Sequence, residues 1–426
     1  MRSIQTIASL GLCAAAAGIV VTMVSGCSSG SGTADPTSSP VSPTASTPSP
    51  TSTPVPSTST TQASNEPRES RTPSTAPTPQ ALSTAQQQLA KLSLEQRVGQ
   101  LFMVAAKATG AEPGTMEALS KYHAGNVYLS GRSKAGAEAT AAVVASLTGK
   151  VSAETTGGLP LFVATDQEGG YVQVLAGPGF STIPAALVQT GAGPAKLRAD
   201  ATVWGKELRS AGVNVNLAPV LDAVTSPEFA PSNAPIGQFQ RQYGYSPGQV
   251  SELGNAFAQG MRDAGVAPVV KHFPGLGRVV PNTDVSRNVR DTKTTRNDPA
   301  LEPFRTAITN GVQWVMVSNA YYDQIDPANI APFSPVVMGQ MLREDAGFKG
   351  IILSDDVCSA AQLEPWPAPD RAINFFGAGG TMLVCADPGS IPSMYEAVLQ
   401  KAQSDPAFRH KVDAAALTVL SVKSGK

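Results

Sequence analysis

From residue 100 onward, short apolar runs recur at residues 100–105, 125–129, 159–165, 213–220, 266–270, 314–317, 350–353 and 381–384. Segments of helical length or helical periodicity separate most of them, among them 194–211, 247–264, 301–310 and 336–344. A strand that is apolar throughout must be covered on both faces, which a parallel sheet wrapped in helices achieves. Eight such strands alternating with helices predict an α/β protein built as a single (β/α)8 TIM barrel over residues 82–426. A doubly wound open sheet is the alternative, but no Gly-rich phosphate-binding turn follows an early strand. Three of the runs stop abruptly in polar chemistry: 159–165 in Asp166-Gln167-Glu168-Gly169-Gly170, 266–270 in Lys271-His272-Phe273-Pro274-Gly275, and 350–353 in Ser354-Asp355-Asp356. In a barrel those ends converge on one mouth, where active sites are built.

The chain before the barrel has a different composition. Residues 1–26 begin with Arg2, continue as an apolar stretch without an acidic residue and end in Ser25-Gly26, the pattern of a secretory signal. The sequence Val24-Ser25-Gly26-Cys27 resembles a bacterial lipobox, which implies that Cys27 becomes a lipidated N-terminus and anchors the protein to a membrane. Residues 27–81 then form a linker in which 28–80 contain no Leu, Ile, Phe, Trp or Tyr and are dominated by Ser, Thr, Pro, Ala and Gly. Such a segment cannot bury a core and is expected to be a disordered tether with a span on the order of 40 Å. Folding therefore starts near residue 82, with one amphipathic helix expected over 86–99.

Charge is balanced, with 31 basic and 32 acidic residues, which gives no reason to expect a nucleic-acid partner. The three histidines, His123, His272 and His410, are far apart in sequence, so no His-rich metal site is expected, and no cofactor is called for. Cys358 and Cys385 remain in the folded part, each just past a strand end. A disulfide and two buried free thiols are both open readings.

The strand ends carry the candidate site. Carboxylates and amides such as Asp166, Gln167 and Glu168 suit a ligand rich in hydroxyl groups, and Gly169-Gly170 permits a tight turn that brings backbone close to it. One of Asp355 and Asp356 is expected to cap the following element while the other faces the site. Lys271 and His272 are adjacent, so strand alternation would let at most one of them face the barrel interior. The long polar loop that follows carries Asp284, Arg287, Arg290 and Asp291 and has the length of a functional lid.

Taken together, Asp166-Gln167-Glu168-Gly169-Gly170, Asn216-Leu217-Ala218-Pro219-Val220-Leu221-Asp222, Lys271-His272-Phe273-Pro274-Gly275 and Ser354-Asp355-Asp356 resemble glycoside hydrolase family 3. Within it they are similar to the single-domain NagZ-type β-N-acetylglucosaminidase branch, and with the lipobox and tether to the LpqI-like lipoproteins of that branch. The resemblance covers roughly residues 85–426. It implies a retaining, exo-acting hydrolase of peptidoglycan-derived fragments, lipid-anchored and facing the cell envelope. Asp355 would be the nucleophile, and Asp166, Arg241, Lys271 and His272 would bind the sugar.

Departures from the pattern are specific. The branch carries Asp-Ser-His in the loop after Lys-His, with the His as acid/base, but here the loop reads Asp284-Val285-Ser286. A serine hydroxyl is too weak an acid for that role, so Asp284 is the first substitute and Asp291 the second. Two arginines that the resemblance implies after Gly-Gly are replaced by Tyr171 and Val174. Loss of acid/base assistance costs about 10²- to 10⁴-fold in rate. Two alternatives follow: a non-catalytic or very slow lipoprotein that binds amino sugars or muropeptides, and an exo-β-glycosidase for another sugar.

Overall fold

The computed structural model describes residues 82–425. The expected signal segment, the Cys27 lipidation site and the linker up to residue 81 lie outside the described residues. Eight parallel strand positions form the barrel: β1 (Phe102–Lys107), β2 (Asn126–Ser130), β3 (Phe162–Thr165), β4 (Val215–Asn216), β5 (in two pieces, Ala267–Pro268 and Val270–Phe273), β6 (Trp314–Val317), β7 (Ile351–Asp356) and β8 (Met382–Cys385). Each strand pairs with its sequence neighbours, and β1 pairs in parallel with β8, where Phe102 stands opposite Leu383. The first piece of β5 bonds to β4 and the second to β6, so the break in β5 joins the two ends of the ladder and the barrel closes. The expected (β/α)8 architecture is therefore present.

Burial explains why these runs are strands. Residues 102–106 of β1, 351–354 of β7 and all of β8 are buried, as expected of strands with a packed interior on one side and helices on the other. At the N-terminal end of the barrel Trp314 and Phe162 meet edge to face at 4.7 Å. Lys423, from the C-terminal helix Pro406–Lys423, lies over Phe162 and donates to Gln100 Oε1 at 2.8 Å and to Gly125 O at 3.0 Å. This plugged floor leaves the opposite, C-terminal end as the open one.

Three expectations are corrected in detail. The helix expected over 86–99 is two helices, Thr84–Lys91 and Leu94–Gly99. Ser93 caps the second by accepting from Gln96 N–H at 3.2 Å, while the Gln96 side chain accepts from Ser93 N–H, and this reciprocal box starts a new helix inside the apolar periodicity. Strand β4 keeps only two residues of 213–220, because Pro219 has no N–H to offer the ladder, although Val220 re-engages Lys271 through a bridge. Strand β7 runs through Asp356 rather than stopping at residue 353, so both carboxylates belong to the strand itself. Cys358 and Cys385 form a disulfide that ties the end of β7 to the end of β8.

Candidate active site

A cavity of about 260 Å³ opens at the C-terminal end of the barrel. Tyr128, Asp166, Arg241, Lys271, His272, Asp284, Asp355 and Asp356 contribute to its wall, with Leu217, Met316 and Val384 among its apolar lining. A roomier depression of about 480 Å³ elsewhere on the surface, against Phe333, Trp366 and Phe408, offers Asp405, Lys401 and Lys411 but no convergent set of carboxylates.

Asp166 follows β3 directly, and the chain turns back through a short hairpin of Gln167–Gly169 and Val172–Gln173. Gly169 has φ +107°, and a Cβ there would meet the Pro184 carbonyl at 2.2 Å, so the turn accepts only glycine at that point. The hairpin buries Glu168, whose carboxylate receives Arg241 in a fork, from Nε at 2.9 Å and Nη2 at 2.8 Å. Lys271 Nζ donates to Asp166 Oδ1 and approaches Glu168 Oε1, both at 2.7 Å. Burial opposes ionisation of Glu168, but Arg241 and Lys271 outweigh it and hold its carboxyl at about 2. Two carboxylates and two cations thus form one buried network, and Asp166 is its most exposed member, at 28%.

Lys271 and His272 both line the cavity, which corrects the expectation that alternation would admit only one. The physical reason is in the β5–β6 ladder: Val270 pairs with Val315 and Phe273 with Val317, so three steps on β5 face two on β6 and strict alternation breaks. The Lys271–His272 peptide bond is cis. The His272 ring is oriented by Asp222, with Nδ1 2.7 Å from Asp222 Oδ2, while Asp222 Oδ1 accepts from the backbone N–H of His272 at 3.2 Å and of Leu276 at 2.8 Å. Asp222 is fully buried, and all its work is to hold His272 and the turn behind it.

The two tandem aspartates divide their tasks. Asp356 accepts from the N–H groups of Cys358 at 3.0 Å, Ser359 at 2.9 Å and Ala386 at 2.8 Å, which makes it the structural member that knits the ends of β7 and β8. Asp355 accepts only the adjacent Asp356 N–H, at 2.8 Å, among its described hydrogen bonds, which leaves its second oxygen for the cavity. Burial pushes the Asp355 carboxyl up to about 6, the Asp284 charge adds to the rise, and His272 and Lys271 oppose it. Burial likewise raises the Tyr128 phenol, reinforced by Asp356, Asp166 and Asp355.

Of the residues singled out from sequence, Asp166, Arg241, Lys271, His272, Asp284 and Asp355 all reach this cavity. Asp284 stands exposed at its rim, on a loop fastened to the segment after β7 by Ala361 N–H to Asp284 O at 3.0 Å and Gln362 N–H to Thr283 O at 3.1 Å. Asp291, the second acid/base candidate, is buried outside the cavity lining and spends its carboxylate on the N–H groups of Lys293 and Thr294 and the Thr294 hydroxyl, so it is a turn residue. Gln167 and Glu168, expected beside Asp166 to meet a hydroxylated ligand, do not line the cavity: the Gln167 amide pairs with the Leu175 backbone, and Glu168 is taken up by Arg241 and Lys271. Two members of the site and its support, Asp222 and Tyr128, are given no role by the sequence. Asp222 lies inside a motif that points to the site and is legible as a strand-end carboxylate, whereas nothing local distinguishes Tyr128 from a core tyrosine. Among the described residues no group of three or more His, Cys, Asp or Glu side chains is placed to hold a metal ion.

Residues 93–422 match the family model described as the glycosyl hydrolase family 3 N terminal domain. A β-hexosaminidase of Alkalilimnicola ehrlichii is 36% identical over 245 residues, which is 55% of this chain and 68% of that protein. Among solved structures, a β-N-acetylhexosaminidase from Beutenbergia cavernae superposes with a TM-score of 0.78 at 52% identity and covers 78% of this chain and 99% of its own. M. tuberculosis LpqI superposes with a TM-score of 0.67 at 25% identity, covering 78% of this chain and 94% of that one.

Proposed function

This chain belongs to glycoside hydrolase family 3, and on that premise we propose that it is a retaining, exo-acting β-N-acetylglucosaminidase of peptidoglycan-derived fragments, with Asp355 as its nucleophile. The coarser statement, a glycosyl-bond hydrolase of the β-N-acetylhexosaminidase type acting on amino sugars, follows from the family and its hexosaminidase relatives. The observation that carries the finer reading is the division of labour at the end of β7. Asp356 is committed to three backbone N–H groups, while Asp355 keeps an oxygen for the cavity, beside His272 and Lys271.

In this reading Asp166, Lys271, Arg241 and His272 bind the hydroxyls of one sugar ring, held in register by Glu168 and Asp222. An Asp355 oxygen attacks the anomeric carbon as the bond to the leaving oxygen breaks, and Asp284 gives that oxygen its proton. Water then attacks the glycosyl-enzyme bond, Asp284 takes the water's proton, and Asp355 leaves as carboxylate. The position of Asp284 at the rim of the cavity that Asp355 also lines supports its role. Export and anchoring belong to the same proposal and rest on the signal pattern and Cys27: a lipid at that residue would keep the barrel at the cell envelope.

The test is hydrolysis of 4-nitrophenyl β-N-acetylglucosaminide by residues 82–426 beside Asp355→Ala. Nitrophenolate needs no proton to leave, so this substrate reads the nucleophile without the acid. Turnover that disappears in the variant is the expected result; an unchanged rate in a folded Asp355→Ala would remove Asp355 from the role. Absence of turnover in the unsubstituted protein would favour a binding role or another sugar.

A further inference from the structure

Seven large apolar side chains are exposed among the described residues, and four of them, Tyr171, Phe239, Val280 and Val285, stand on loops that also line the cavity. Val172 is the neighbour of Tyr171, Pro235 and Arg241 flank Phe239, and Leu276 and Asp284 bracket Val280. Scattered apolar residues on a surface need no explanation, but two exposed aromatic rings in contact, on segments that both contribute to a polar cavity, do.

Tyr171 is 62% exposed and Phe239 39%, and their rings meet edge to face at 5.8 Å with an interplanar angle of 68°. The segments that carry them are held from behind. Arg132 donates to the Tyr171 carbonyl and, at 3.0 Å, to that of Gln173, and Gly170 N–H donates to Ile183 O at 2.8 Å. Asn233 Nδ2 donates to the carbonyls of Leu276 at 2.8 Å and Val279 at 2.6 Å, and Ala234 N–H donates to Val280 O at 3.0 Å, which joins the Phe239 and Val280 loops. An aromatic pair presented on braced backbone loses little freedom when a ligand settles on it.

The cavity itself limits what lies inside. At about 260 Å³ it falls below the roughly 300–1,000 Å³ of pockets that enclose drug-sized ligands, so an oligosaccharide seated there must extend through the mouth. A pyranose ring has an apolar C–H face and a hydroxylated edge, and suits an aromatic face bordered by polar backbone.

We propose that Tyr171 and Phe239 form a stacking platform for the second pyranose ring, on the leaving-group side, of a β-linked amino-sugar oligomer. The platform makes this chain favour oligosaccharides over glycosides with a small leaving group. This rests on the amino-sugar hydrolase reading and names the residues that select the second ring. The experiment compares unsubstituted protein with Tyr171→Ala, Phe239→Ala and Tyr171→Phe. Two constants are measured: KM for N,N′-diacetylchitobiose, and the inhibition constant of N-acetylglucosamine, which reports the inner ring alone.

The expected result is a KM for the disaccharide raised about three- to tenfold in each alanine variant. The N-acetylglucosamine constant should move less than about twofold on the same scale, and Tyr171→Phe should keep the unsubstituted KM. Alanine variants that leave KM unchanged, or that shift both constants alike, would overturn the platform. Failure of the underlying reading looks different: the unsubstituted protein would then neither cleave the disaccharide nor bind N-acetylglucosamine, and the platform would fall with it.

Discussion

Replacing Glu168 by Gln keeps the shape of the side chain and removes one negative charge from the buried network beneath Asp166. Arg241 and Lys271 would then share Asp166 as their remaining carboxylate in that network, with Lys271 only 3% exposed. Breaking one member of a buried ionic network costs about 3–5 kcal/mol, because the partner charges stay buried. An independent route gives a similar size. The Glu168 carboxyl is depressed from its ordinary 4.5 to about 2, and at about 1.4 kcal/mol per tenfold change in proton affinity this is equivalent to about 3 kcal/mol of stability. The sign follows from the depression: that stability is fully present above pH 4.5 and is lost as pH falls toward 2. Urea denaturation of the barrel and of Glu168→Gln at pH 7, and again between pH 5 and pH 3, measures both effects. The variant should be about 3 kcal/mol less stable at pH 7, and the gap should narrow as the pH falls. A variant within about 1 kcal/mol of the parent at pH 7, with the same dependence on acid, would refute the claim that this network is held by the Glu168 charge.

Two further outcomes follow from the end of β7. With 4-nitrophenyl β-N-acetylglucosaminide, kcat/KM should fall as pH drops through about 6, because under the proposed mechanism the Asp355 carboxyl, raised by burial and by Asp284, must be ionised to attack, and Asp284→Asn should move that midpoint downward; an unmoved midpoint would separate the two carboxylates. The Cys358–Cys385 disulfide closes a loop of 27 residues, so the double variant Cys358→Ser, Cys385→Ser should lose about 3 kcal/mol in chemical denaturation, and equal stability of the two forms would show that Asp356 and its three N–H donors hold the strand ends by themselves.

The charges at the site explain why few of its residues could be assigned roles one at a time. Asp166 and Glu168 are two residues apart, yet Asp166 faces the ligand cavity while Glu168 is sunk beneath Arg241 and Lys271, from loops and strands far along the chain. Asp355 and Asp356 are adjacent, and what separates a candidate nucleophile from a structural knot is where the Cys358, Ser359 and Ala386 N–H groups point. Sequence orders Asp284 before Asp291 without a partner to decide between them; folding puts the first at the cavity rim and gives the second to Lys293 and Thr294.

What the residue order by itself determined is the barrel and the location of its chemistry. Apolar runs such as 351–353 can be satisfied only by burial on both faces, and the polar residues that end them must collect at one mouth once the strands are parallel and closed. The Gly169-Gly170 pair also marks a tight turn in the residue order itself. The tertiary structure alone decided which neighbour of each pair does what. That choice depends on hydrogen-bond donors and counter-charges from distant segments, on the extra residue that breaks alternation at Lys271 and His272, and on the pairing of Cys358 with Cys385. Such partners are brought within 3 Å only by closing the barrel, and a carboxylate's role is set by who those partners are.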